Sequence, residues 1–425
     1  MRPIVFAHLA DAHVGAWPRN PVLRERLRTS VLRAIEVASE RKAEFLLISG
    51  DLFHTPVPDP AEAAPVAAAL RRYVEAGHRI YAIYGSHDYV AHRTSWLDVL
   101  AEAGVFVRVA PEAVRPEGTA WTLPWLRDDP TGVLIAGISG RSHGLDREYF
   151  RSMDSRGFCG EPGFKVFQFH AAVEEYLPAH LRDKIRGIRV DDLPPGCGYY
   201  AGGHIHFTYQ GIGPGGGLLV NPGSVFGTSR TDIENGESGR THRGLAILTV
   251  RDGQATAELV DALEPGTIRT VDIDVTGRDP ESIPGLVLAR IRAEGAAPGT
   301  LILPRIHGLL SKGRVSPLDL GAVQEALGPE GLTVQVDARD VEGPEASHGT
   351  PLSESEVERE EVERLLGADE ARPSWLAGAG GARVVQDLLT ALGVPKSEGE
   401  STLDYSAARR SEARRVLTVP DDDAR

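Results

Sequence analysis

The 425-residue chain has little cysteine and no long apolar run. It contains only two cysteines, Cys159 and Cys197, and nowhere as many as 18 consecutive apolar residues. Two cysteines are too few for a disulfide framework, and a helix that spans a bilayer needs about 20 largely apolar residues. The first residues, MRPIVFAHLADAH, also lack the basic and apolar regions of a secretory signal peptide. We therefore expect a cytoplasmic protein without a transmembrane helix.

The acidic charge of the chain is large but concentrated in one region. The formal net charge of −14 argues against a nucleic-acid binder. However, residues 1–250 carry 27 basic and 28 acidic side chains, whereas residues 251–425 carry 19 and 32. Only five of the 46 basic residues are lysines, so a phosphate-binding surface would consist of arginines, which suit two-point contacts with phosphate. The charge therefore does not exclude a nucleic-acid substrate for the N-terminal region.

The first 250 residues alternate short apolar segments with amphipathic ones, which is typical of a layered α/β domain. The predicted strands cover residues 3–9, 45–49, 79–84, 132–138, 164–169 and 198–201, and the first helices cover residues 21–43 and 61–76. Polar and ionisable residues follow several of these strands. Because ligands of open α/β sheets bind outside the carboxyl ends of the strands, we expect the functional site there.

The pattern changes near residue 266. Strands at residues 270–275, 300–304 and 332–336 and a helix near 284–297 predict a small α+β domain. A polar acidic stretch follows, and two further helices are predicted at residues 382–392 and 406–419. We therefore expect a catalytic domain over residues 1–265, a small domain over 266–340, an acidic linker over 341–380 and a helical segment over 381–425.

Aspartate and histidine cluster in five short segments, most of which follow a predicted strand. These are Asp11-Ala-His13, Gly50-Asp51-Leu-Phe-His54, Gly85-Ser-His87-Asp88, His170 and Gly203-His204-Ile-His206. Carboxylate oxygens combined with imidazole nitrogens suit Mn²⁺, Fe²⁺ or Zn²⁺. A carboxylate can bridge two ions, and two ions about 3.5–4 Å apart stabilise the attacking and leaving oxygens of a phosphoryl transfer. Each segment alone also fits a helix cap, a turn or a core histidine; together they predict a metallophosphoesterase.

In order and spacing, the five segments resemble the calcineurin-like metallophosphoesterase superfamily. Within it, HLADAHVG and ISGDLFHTPVPDP are similar to the SbcD/Mre family of DNA double-strand-break repair nucleases. The Leu-Phe-His sequence after Gly50-Asp51 is the discriminating detail, and Asn221-Pro-Gly-Ser224 resembles the family's Pro-Gly-Ser turn. The resemblance covers roughly residues 1–250, with a weaker similarity of residues 304–320 to the capping domain. It implies a four-layer αββα sandwich followed by a small α+β capping domain and C-terminal helices.

The resemblance also implies roles for individual residues. One metal ion would be held by Asp11, His13, Asp51 and His206, and a second by Asp51, Ser86, His170 and His204. His87 would act at the scissile phosphate, Asp88 would fix the tautomer of His87, and His54 would orient the phosphate or the nucleophile. The expected cofactor is a pair of divalent ions, with Mn²⁺ as the expected metal.

Residue 86 departs from the family pattern, which has Gly-Asn-His-Asp where this chain has Gly-Ser-His-Asp. A serine hydroxyl is about one bond shorter than an asparagine side chain, and its oxygen is a weaker ligand. The backbone could move closer, a water molecule could bridge Ser86 to the metal, or the second site could be weak or empty. We expect an intact second site of lower affinity, because all the other ligands are present.

Three functions are compatible with these residues. The first is a Mn²⁺-dependent DNA exonuclease and endonuclease that acts on double-stranded ends, hairpins or single strands with an SMC-like ABC ATPase. The second is a small-molecule or lipid phosphoesterase, and the third is a scaffold subunit with a degenerate site. The long C-terminal extension favours the first.

The resemblance also implies a homodimer, formed by the helix from Pro21 or by residues 95–105, and no membrane partner. The helical segment presents an apolar stripe for the ATPase: Val384, Val385, Leu388, Leu389 and Leu392.

Overall fold

The computed structural model describes residues 2–88, 94–110, 121–140, 146–182, 185–263, 267–312, 320–343, 378–392, 394 and 402–417. In these residues the strands are β1 Ile4–Leu9, β2 Phe45–Ser49, β3 Arg79–Ile83, β4 Val107–Arg108, β5 Trp121–Thr122, β6 Trp125–Arg127, β7 Leu134–Ile138, β8 Met153–Asp154, β9 Lys165–His170, β10 Tyr199–Gly203, β11 Tyr209–Ile212, β12 Leu218–Asn221, β13 Gly244–Arg251, β14 Gln254–Asp261, β15 Ile268–Asp274, β16 Leu301–Leu309, β17 Thr333–Val334 and β18 Asp337–Glu342. The α-helices are α1 Pro21–Glu40, α2 Pro60–Glu75, α3 Trp96–Glu102, α4 Asp146–Arg151, α5 Arg156–Gly160, α6 Arg230–Glu237, α7 Ile283–Ala293, α8 Gly321–Leu327, α9 Gly378–Leu392 and α10 Thr402–Val416.

Two six-stranded sheets form the N-terminal part of the chain. The first has the strand order β14-β13-β1-β2-β3-β4, and the second has the order β11-β12-β10-β9-β7-β6. Strands β1, β2 and β3 are parallel to one another, and so are β7, β9 and β10. Within each sheet, the carboxyl ends of the parallel strands therefore meet at one edge.

The alternation of side chains along the strands separates the apolar core into layers. In β2, Phe45 and Leu47 belong to the core between the two sheets, whereas Leu46 and Ile48 belong to a core that includes the buried faces of α1 and α2. The outer face of the second sheet belongs to a third core, which includes residues of α4 and α5. The predicted four-layer αββα sandwich is thus confirmed.

The first helix shows how local sequence sets an element's ends. Asn20 caps α1 through its Oδ1, which accepts a hydrogen bond from the Leu23 N–H at 3.1 Å, and Pro21 occupies the first helical position. The helix ends at Glu40, three residues before the predicted end, because Lys42 adopts a left-handed conformation with φ +53°. Its buried residues include Leu27, Val31 and Ala34, so α1 covers the sheet with the predicted apolar face.

A third, smaller sheet follows the sandwich. Strands β15, β16 and β17 are parallel neighbours in that order, and β18 pairs with β16. Helices α7 and α8 contribute the buried side chains of Ile283, Val287, Ile291, Val323 and Leu327. The described residues within Met1–Asp274, Ser282–His307 and Leu318–Asp340 form one compact unit. The predicted domain boundaries at residues 265, 340 and 380 stay predictions, and most of the predicted acidic linker lies outside the described residues.

The second compact unit comprises the described residues within Val275–Glu281, Gly308–Pro317 and Val341–Arg425. It contains both predicted C-terminal helices; α9 and α10 each begin four residues earlier than expected. Arg409 of α10 donates a hydrogen bond to the carbonyl of Ala391 in α9 at 2.5 Å. The side chains of Leu389 and Leu392 are both 49% exposed. No described helix combines the length and the apolar character needed to cross a membrane.

Candidate metal centre

The residues predicted to form the site lie at or beyond the carboxyl ends of five strands. In chain order, Asp11 and His13 follow β1, Asp51 and His54 follow β2, Ser86, His87 and Asp88 follow β3, His170 ends β9, and His204 and His206 follow β10. Pairing of β9 with β10 places Gly203 beside His170, and pairing of β2 with β3 places Ser49 beside Ile83. Segments that are far apart in sequence therefore converge at one place.

The backbone is strained at four of these residues. Asp11, His13, Asp51 and His204 have φ angles of +50°, +48°, +52° and +93°. In the described part of the chain, only three other non-glycine residues have a positive φ, and all three lie outside the predicted site. Such conformations cost energy for residues with a Cβ, and they cluster where a structure holds functional side chains in place. The clustering of these strained residues therefore supports placing the candidate site at this edge of the sheets.

Two glycines are required by the close approach of these segments. A Cβ on Gly50, whose φ is +88°, would lie 2.4 Å from His170 Nδ1. A Cβ on Gly85 would lie 2.0 Å from Asp51 Oδ1. Both distances are far below van der Waals contact, so any larger residue would displace a predicted ligand. The Gly-Asp and Gly-Ser-His-Asp motifs thus contain glycine for a steric reason.

Asp51 lies at the centre of the cluster. Its Oδ1 accepts a hydrogen bond from the His87 backbone N–H at 2.7 Å. Its Oδ2 lies 3.6 Å from His13 Nε2 and 3.3 Å from His170 Nε2. One carboxylate oxygen thus faces two imidazole nitrogens that come from different strands, as a bridging ligand would.

The first group of possible metal ligands is Asp11, His13 and His206, whose ligand atoms all lie within 4.8 Å of one another. His13 Nε2 is 3.1 Å from His206 Nε2. The carboxylate of Asp11 is held by the His204 backbone N–H, at 3.1 Å from Oδ1 and 3.0 Å from Oδ2. Two imidazole nitrogens so close to each other and to a carboxylate are arranged as ligands of a shared cation.

The second group is Asp11, Asp51 and His170. His170 Nδ1 is 2.8 Å from the Ser49 carbonyl oxygen; because a carbonyl only accepts, Nδ1 carries a proton, and Nε2 is the nitrogen that faces the carboxylates. Within the described residues, this buried Nε2 has no partner with hydrogen-bond geometry. The residues therefore fit a bound cation. The His204 ring lies 5.1 Å from that of His170, measured between centroids, but His204 is in none of the three-residue groups formed by the described side chains.

Ser86 points into the same cluster. Its Oγ donates a hydrogen bond to Asp51 Oδ2 at 3.3 Å. This oxygen is the one that faces His13 and His170, so the hydroxyl lies at the edge of the second group. The effect of serine on occupancy of the second site stays a prediction.

His54 and His87 form a further group with His13. His54 Nδ1 lies 3.4 Å from His13 Nδ1, and the rings of His54 and His87 stack at 5.0 Å. His87 Nδ1 donates to the His54 carbonyl at 3.0 Å, which leaves Nε2 of this exposed ring open to a substrate. The two histidines thus line the solvent side of the metal groups.

The predicted contact of Asp88 with the ring of His87 is wrong. The Asp88 carboxylate is fully buried and accepts hydrogen bonds from the backbone N–H groups of Leu52, Phe53 and Gly85 at 3.0–3.2 Å. Buried donors must be satisfied, and these three amides belong to the loops after β2 and β3. Asp88 therefore joins the two loops, and the His54 carbonyl orients His87.

Burial controls the protonation of the histidines. It lowers the pKa of His204 to about 4, holds that of His13 well below its usual value and also lowers that of His54. Burial acts in the same direction on His170, but the nearby Asp51 carboxylate outweighs it and raises the pKa of His170 to about 10. Burial likewise opposes ionisation of Asp51, yet His170 and His13 keep its pKa below the usual range. In the metal-free site, His13, His54 and His204 are thus neutral, whereas a protonated His170 is paired with the ionised Asp51 carboxylate. A metal ion bound by His170 would displace that proton.

Three supporting residues were not predicted as part of the site. Asp232 Oδ2 accepts a hydrogen bond from His206 Nδ1 at 3.0 Å. Arg243 donates to the His206 carbonyl at 2.7 Å, and Asn221 Nδ2 donates to the carbonyls of Ile205 at 2.6 Å and Phe207 at 2.8 Å. Ser229-x-x-Asp232 is a recognisable capping-box sequence, so the helix start could have been predicted. Its contact with His206 could not, since 26 residues separate the partners.

The chain is also similar in sequence to known proteins. Residues 4–207 match the calcineurin-like phosphoesterase family. The DNA double-strand break repair protein Mre11 of Archaeoglobus fulgidus is 26% identical over 314 residues, which cover 68% of this chain and 66% of that protein. Its namesake from Thermoplasma acidophilum is 27% identical over 259 residues, 60% of this chain and 64% of that protein. The namesake from Methanococcus maripaludis is 26% identical over 207 residues, 47% of this chain and 51% of that protein.

The chain thus matches slightly less than two thirds of the length of the first two relatives and about half of the third. The family match covers every predicted ligand and both further histidines of the cluster. Accordingly, the predicted resemblance is confirmed: the domain within residues 4–207 is that of a metal-dependent phosphoesterase of the calcineurin-like type, and the chain is similar to proteins of the Mre11/SbcD type.

Proposed function

We propose that this protein is a DNA nuclease that hydrolyses phosphodiester bonds with two divalent metal ions, with Mn²⁺ as the expected metal. The observation that carries the proposal is the pair of buried ligand groups that share Asp11, with Asp51 lying between their histidines. The matched relatives are described as DNA double-strand break repair proteins, which favours DNA over a small phosphate ester. We expect the protein to act in the cytoplasm.

In this proposal the first ion is held by Asp11, His13, Asp51 and His206, and the second by Asp51, Ser86, His170 and His204. When bound, the ions would supply a nucleophile at neutral pH and neutralise charge on the phosphate. The hydrogen bond of His170 to the Ser49 carbonyl supports its role, because it aims Nε2 at Asp51. The contact of Ser86 with Asp51 is compatible with a second site of reduced affinity.

His87 is the proposed proton donor to the leaving oxygen. Its Nδ1 is occupied by the His54 carbonyl, so a proton on Nε2 would face the scissile phosphate. His54 lies between this ring and His13 and would orient the phosphate. Asp88 would contribute indirectly, because its carboxylate holds the loop that carries both Asp51 and His54.

The charge distribution predicts modest affinity for DNA. Residues 1–250 have a formal net charge of −1, and two bound divalent ions would make this region positive by about three charges. Binding through so few positive charges is weak and sensitive to salt. We therefore expect a partner to contribute to DNA binding.

The proposed partner is an SMC-like ABC ATPase that binds α9. Val384, Val385 and Leu388 are partly exposed in this helix, and Leu389 and Leu392 more so. An amphipathic helix with such a stripe can lie with its apolar face in a groove of the partner. A homodimer through α1 or α3 is proposed from the family resemblance alone.

A direct test compares nuclease activity of the purified protein and two variants. Linear duplex, hairpin and single-stranded DNA are incubated with Mn²⁺, with Mg²⁺ and with EDTA. Asp51→Asn and His87→Ala should abolish Mn²⁺-dependent cleavage, whereas His307→Ala, which removes an exposed histidine paired with Asp272 on β15, should leave it unchanged. Hydrolysis of bis(p-nitrophenyl) phosphate without DNA cleavage would instead support a small-molecule phosphoesterase. Binding of a single Mn²⁺ without any hydrolysis would support the third function, a scaffold subunit with a degenerate site, which the serine at position 86 favours.

A further inference from the structure

Helix α6 presents a carboxylate to one of the proposed metal ligands. Asp232 Oδ2 lies 3.0 Å from His206 Nδ1. A carboxylate oxygen that is ionised only accepts hydrogen bonds, so the imidazole proton resides on Nδ1. The Nε2 lone pair of His206 then faces His13 Nε2, 3.1 Å away. Asp232 thus selects the tautomer and the ring orientation in which His206 can bind a metal.

Asp232 is itself held firmly at the start of the helix. Its Oδ2 accepts hydrogen bonds from the backbone N–H groups of Thr228 at 3.0 Å and Ser229 at 3.1 Å. Ser229 Oγ in turn accepts a hydrogen bond from the Asp232 N–H at 3.1 Å, which completes a capping box. Arg243 donates to the carbonyls of both His206, at 2.7 Å, and Asp232, at 3.2 Å. The helix start and the ligand are therefore fixed as one unit.

The other contacts of α6 connect it to the third sheet. Arg230 Nη1 donates to the Gln335 carbonyl at 2.8 Å, and Arg230 Nη2 donates to the Leu303 carbonyl at 2.7 Å. At the far end of the helix, Thr270 Oγ1 of β15 donates to Glu237 Oε2 at 2.7 Å. All of these residues belong to the same compact unit. One short helix thus contacts the third sheet at both ends and a proposed metal ligand in between.

We propose that α6 is a strut between the third sheet and the metal site, in which Asp232 positions His206 and Arg230 anchors the helix. The inference rests on the proposed function, because it takes His206 to be a metal ligand. It predicts that the affinity of the site for metal depends on the contacts between α6 and the third sheet, although these contacts do not touch the metal. Residues of this kind, which orient a metal-binding imidazole without touching the metal, typically change affinity by about 10–100-fold when they are removed.

The test measures Mn²⁺ binding to the full chain by electron paramagnetic resonance of the free ion, and Co²⁺ binding by visible absorption. Asp232→Ala should weaken binding at one site by about 10–100-fold and alter the Co²⁺ spectrum. Asp232→Asn keeps an oxygen that accepts from Nδ1, so it should recover part of the loss. Ser229→Ala is the matched control, since it removes the other half of the same capping box but leaves the contact with His206. Circular dichroism and thermal unfolding in EDTA confirm that each variant is folded.

The anchoring role of Arg230 is tested by a double-mutant cycle. Arg230→Ala should weaken Mn²⁺ binding less than Asp232→Ala does, and the double variant should bind no more weakly than Asp232→Ala alone. If the losses of Mn²⁺ affinity in the two single variants add fully in the double variant, Arg230 does not act through Asp232. That result would overturn the proposed anchoring role of Arg230. The positioning role is overturned if Asp232→Ala binds Mn²⁺ like the unaltered chain, or if Ser229→Ala loses as much affinity. Absence of Mn²⁺ binding by the unaltered chain would overturn the proposed function instead.

Discussion

Replacement of Ser86 by asparagine should strengthen the proposed second metal site. In the structure the Ser86 hydroxyl donates to Asp51 Oδ2, the oxygen that faces His13 and His170. A metal ion at this site would compete with that hydroxyl for the same oxygen. Asparagine is longer by about one bond and offers a carbonyl oxygen that can reach a metal directly. The substitution therefore removes a competitor and supplies a ligand.

The size of the effect follows from the bond that is replaced. A hydrogen bond to a charged group contributes about 1.5–3 kcal/mol. The 3.3 Å distance is long for a hydroxyl donor, so the lower end of that range applies, which corresponds to about a tenfold change in dissociation constant. We expect Ser86→Asn to bind the second Mn²⁺ about tenfold more tightly, with the first site unchanged, and to raise nuclease activity at limiting Mn²⁺.

The assay is a calorimetric Mn²⁺ titration paired with plasmid nicking at several Mn²⁺ concentrations. Ser86→Ala is the control, because it removes the hydroxyl without adding a ligand. Tighter binding in both variants would assign the effect to lost competition, and tighter binding only in Ser86→Asn would assign it to the new ligand. Unchanged stoichiometry, affinity and cleavage rate in Ser86→Asn would refute the reasoning.

Three further outcomes are expected. Gly85→Ala should abolish binding of at least one Mn²⁺, since the new Cβ would lie 2.0 Å from a carboxylate oxygen of Asp51. Gly157→Ala should bind Mn²⁺ normally in the same titration, because its new Cβ would meet no atom within 4 Å outside its own chain neighbours and helix backbone. Burial opposes ionisation of Asp128, but Arg79 holds the pKa of this carboxyl below its usual value. The resulting stability is present above pH of about 4 and is lost as the pH falls through the lower folded-state pKa. In urea unfolding, Asp128→Asn should therefore be less stable by about 3 kcal/mol at pH 7, and a difference that does not narrow in acid would contradict this. Leu389→Asp should reduce capture of the coiled-coil base of the proposed ATPase partner in a pull-down, and full retention would remove this residue from the proposed interface.

Strand positions could be predicted closely where the local pattern is unambiguous. The five apolar residues of β2 lie between polar segments, and the predicted bounds match those observed. Strands β9 and β10 instead extend past their predicted ends to His170 and Gly203. These two residues are partners in the ladder between the strands. Polar and glycine residues are poor strand formers, and here pairing between distant segments overrides that preference.

The predicted contact between Asp88 and His87 failed for a related reason. Adjacent residues in a motif suggested a direct hydrogen bond. The carboxylate instead accepts from Leu52 and Phe53, which are 36 and 35 residues away in sequence. A buried carboxylate surrounded by unpaired amides binds them, because the cost of leaving such donors unsatisfied is high. Which amides surround it depends on how two loops pack, and no local pattern contains that information.

The convergence of the predicted ligands could be anticipated because they lie in compact motifs at strand ends, and the structure indicates why those motifs hold their shape. The loops after β1 and β2 are joined by backbone hydrogen bonds. The Asp11 N–H donates to the Gly50 carbonyl at 3.2 Å, and the His13 N–H donates to the Asp51 backbone carbonyl at 2.9 Å. These bonds support the left-handed backbone conformations of Asp11, His13 and Asp51, each of which costs about 1–3 kcal/mol. Burial also raises the pKa of Asp11, with a further contribution from the neighbouring Asp51. The protein scaffold therefore bears the cost of gathering these side chains, so that ions bound at the proposed site would not have to assemble it.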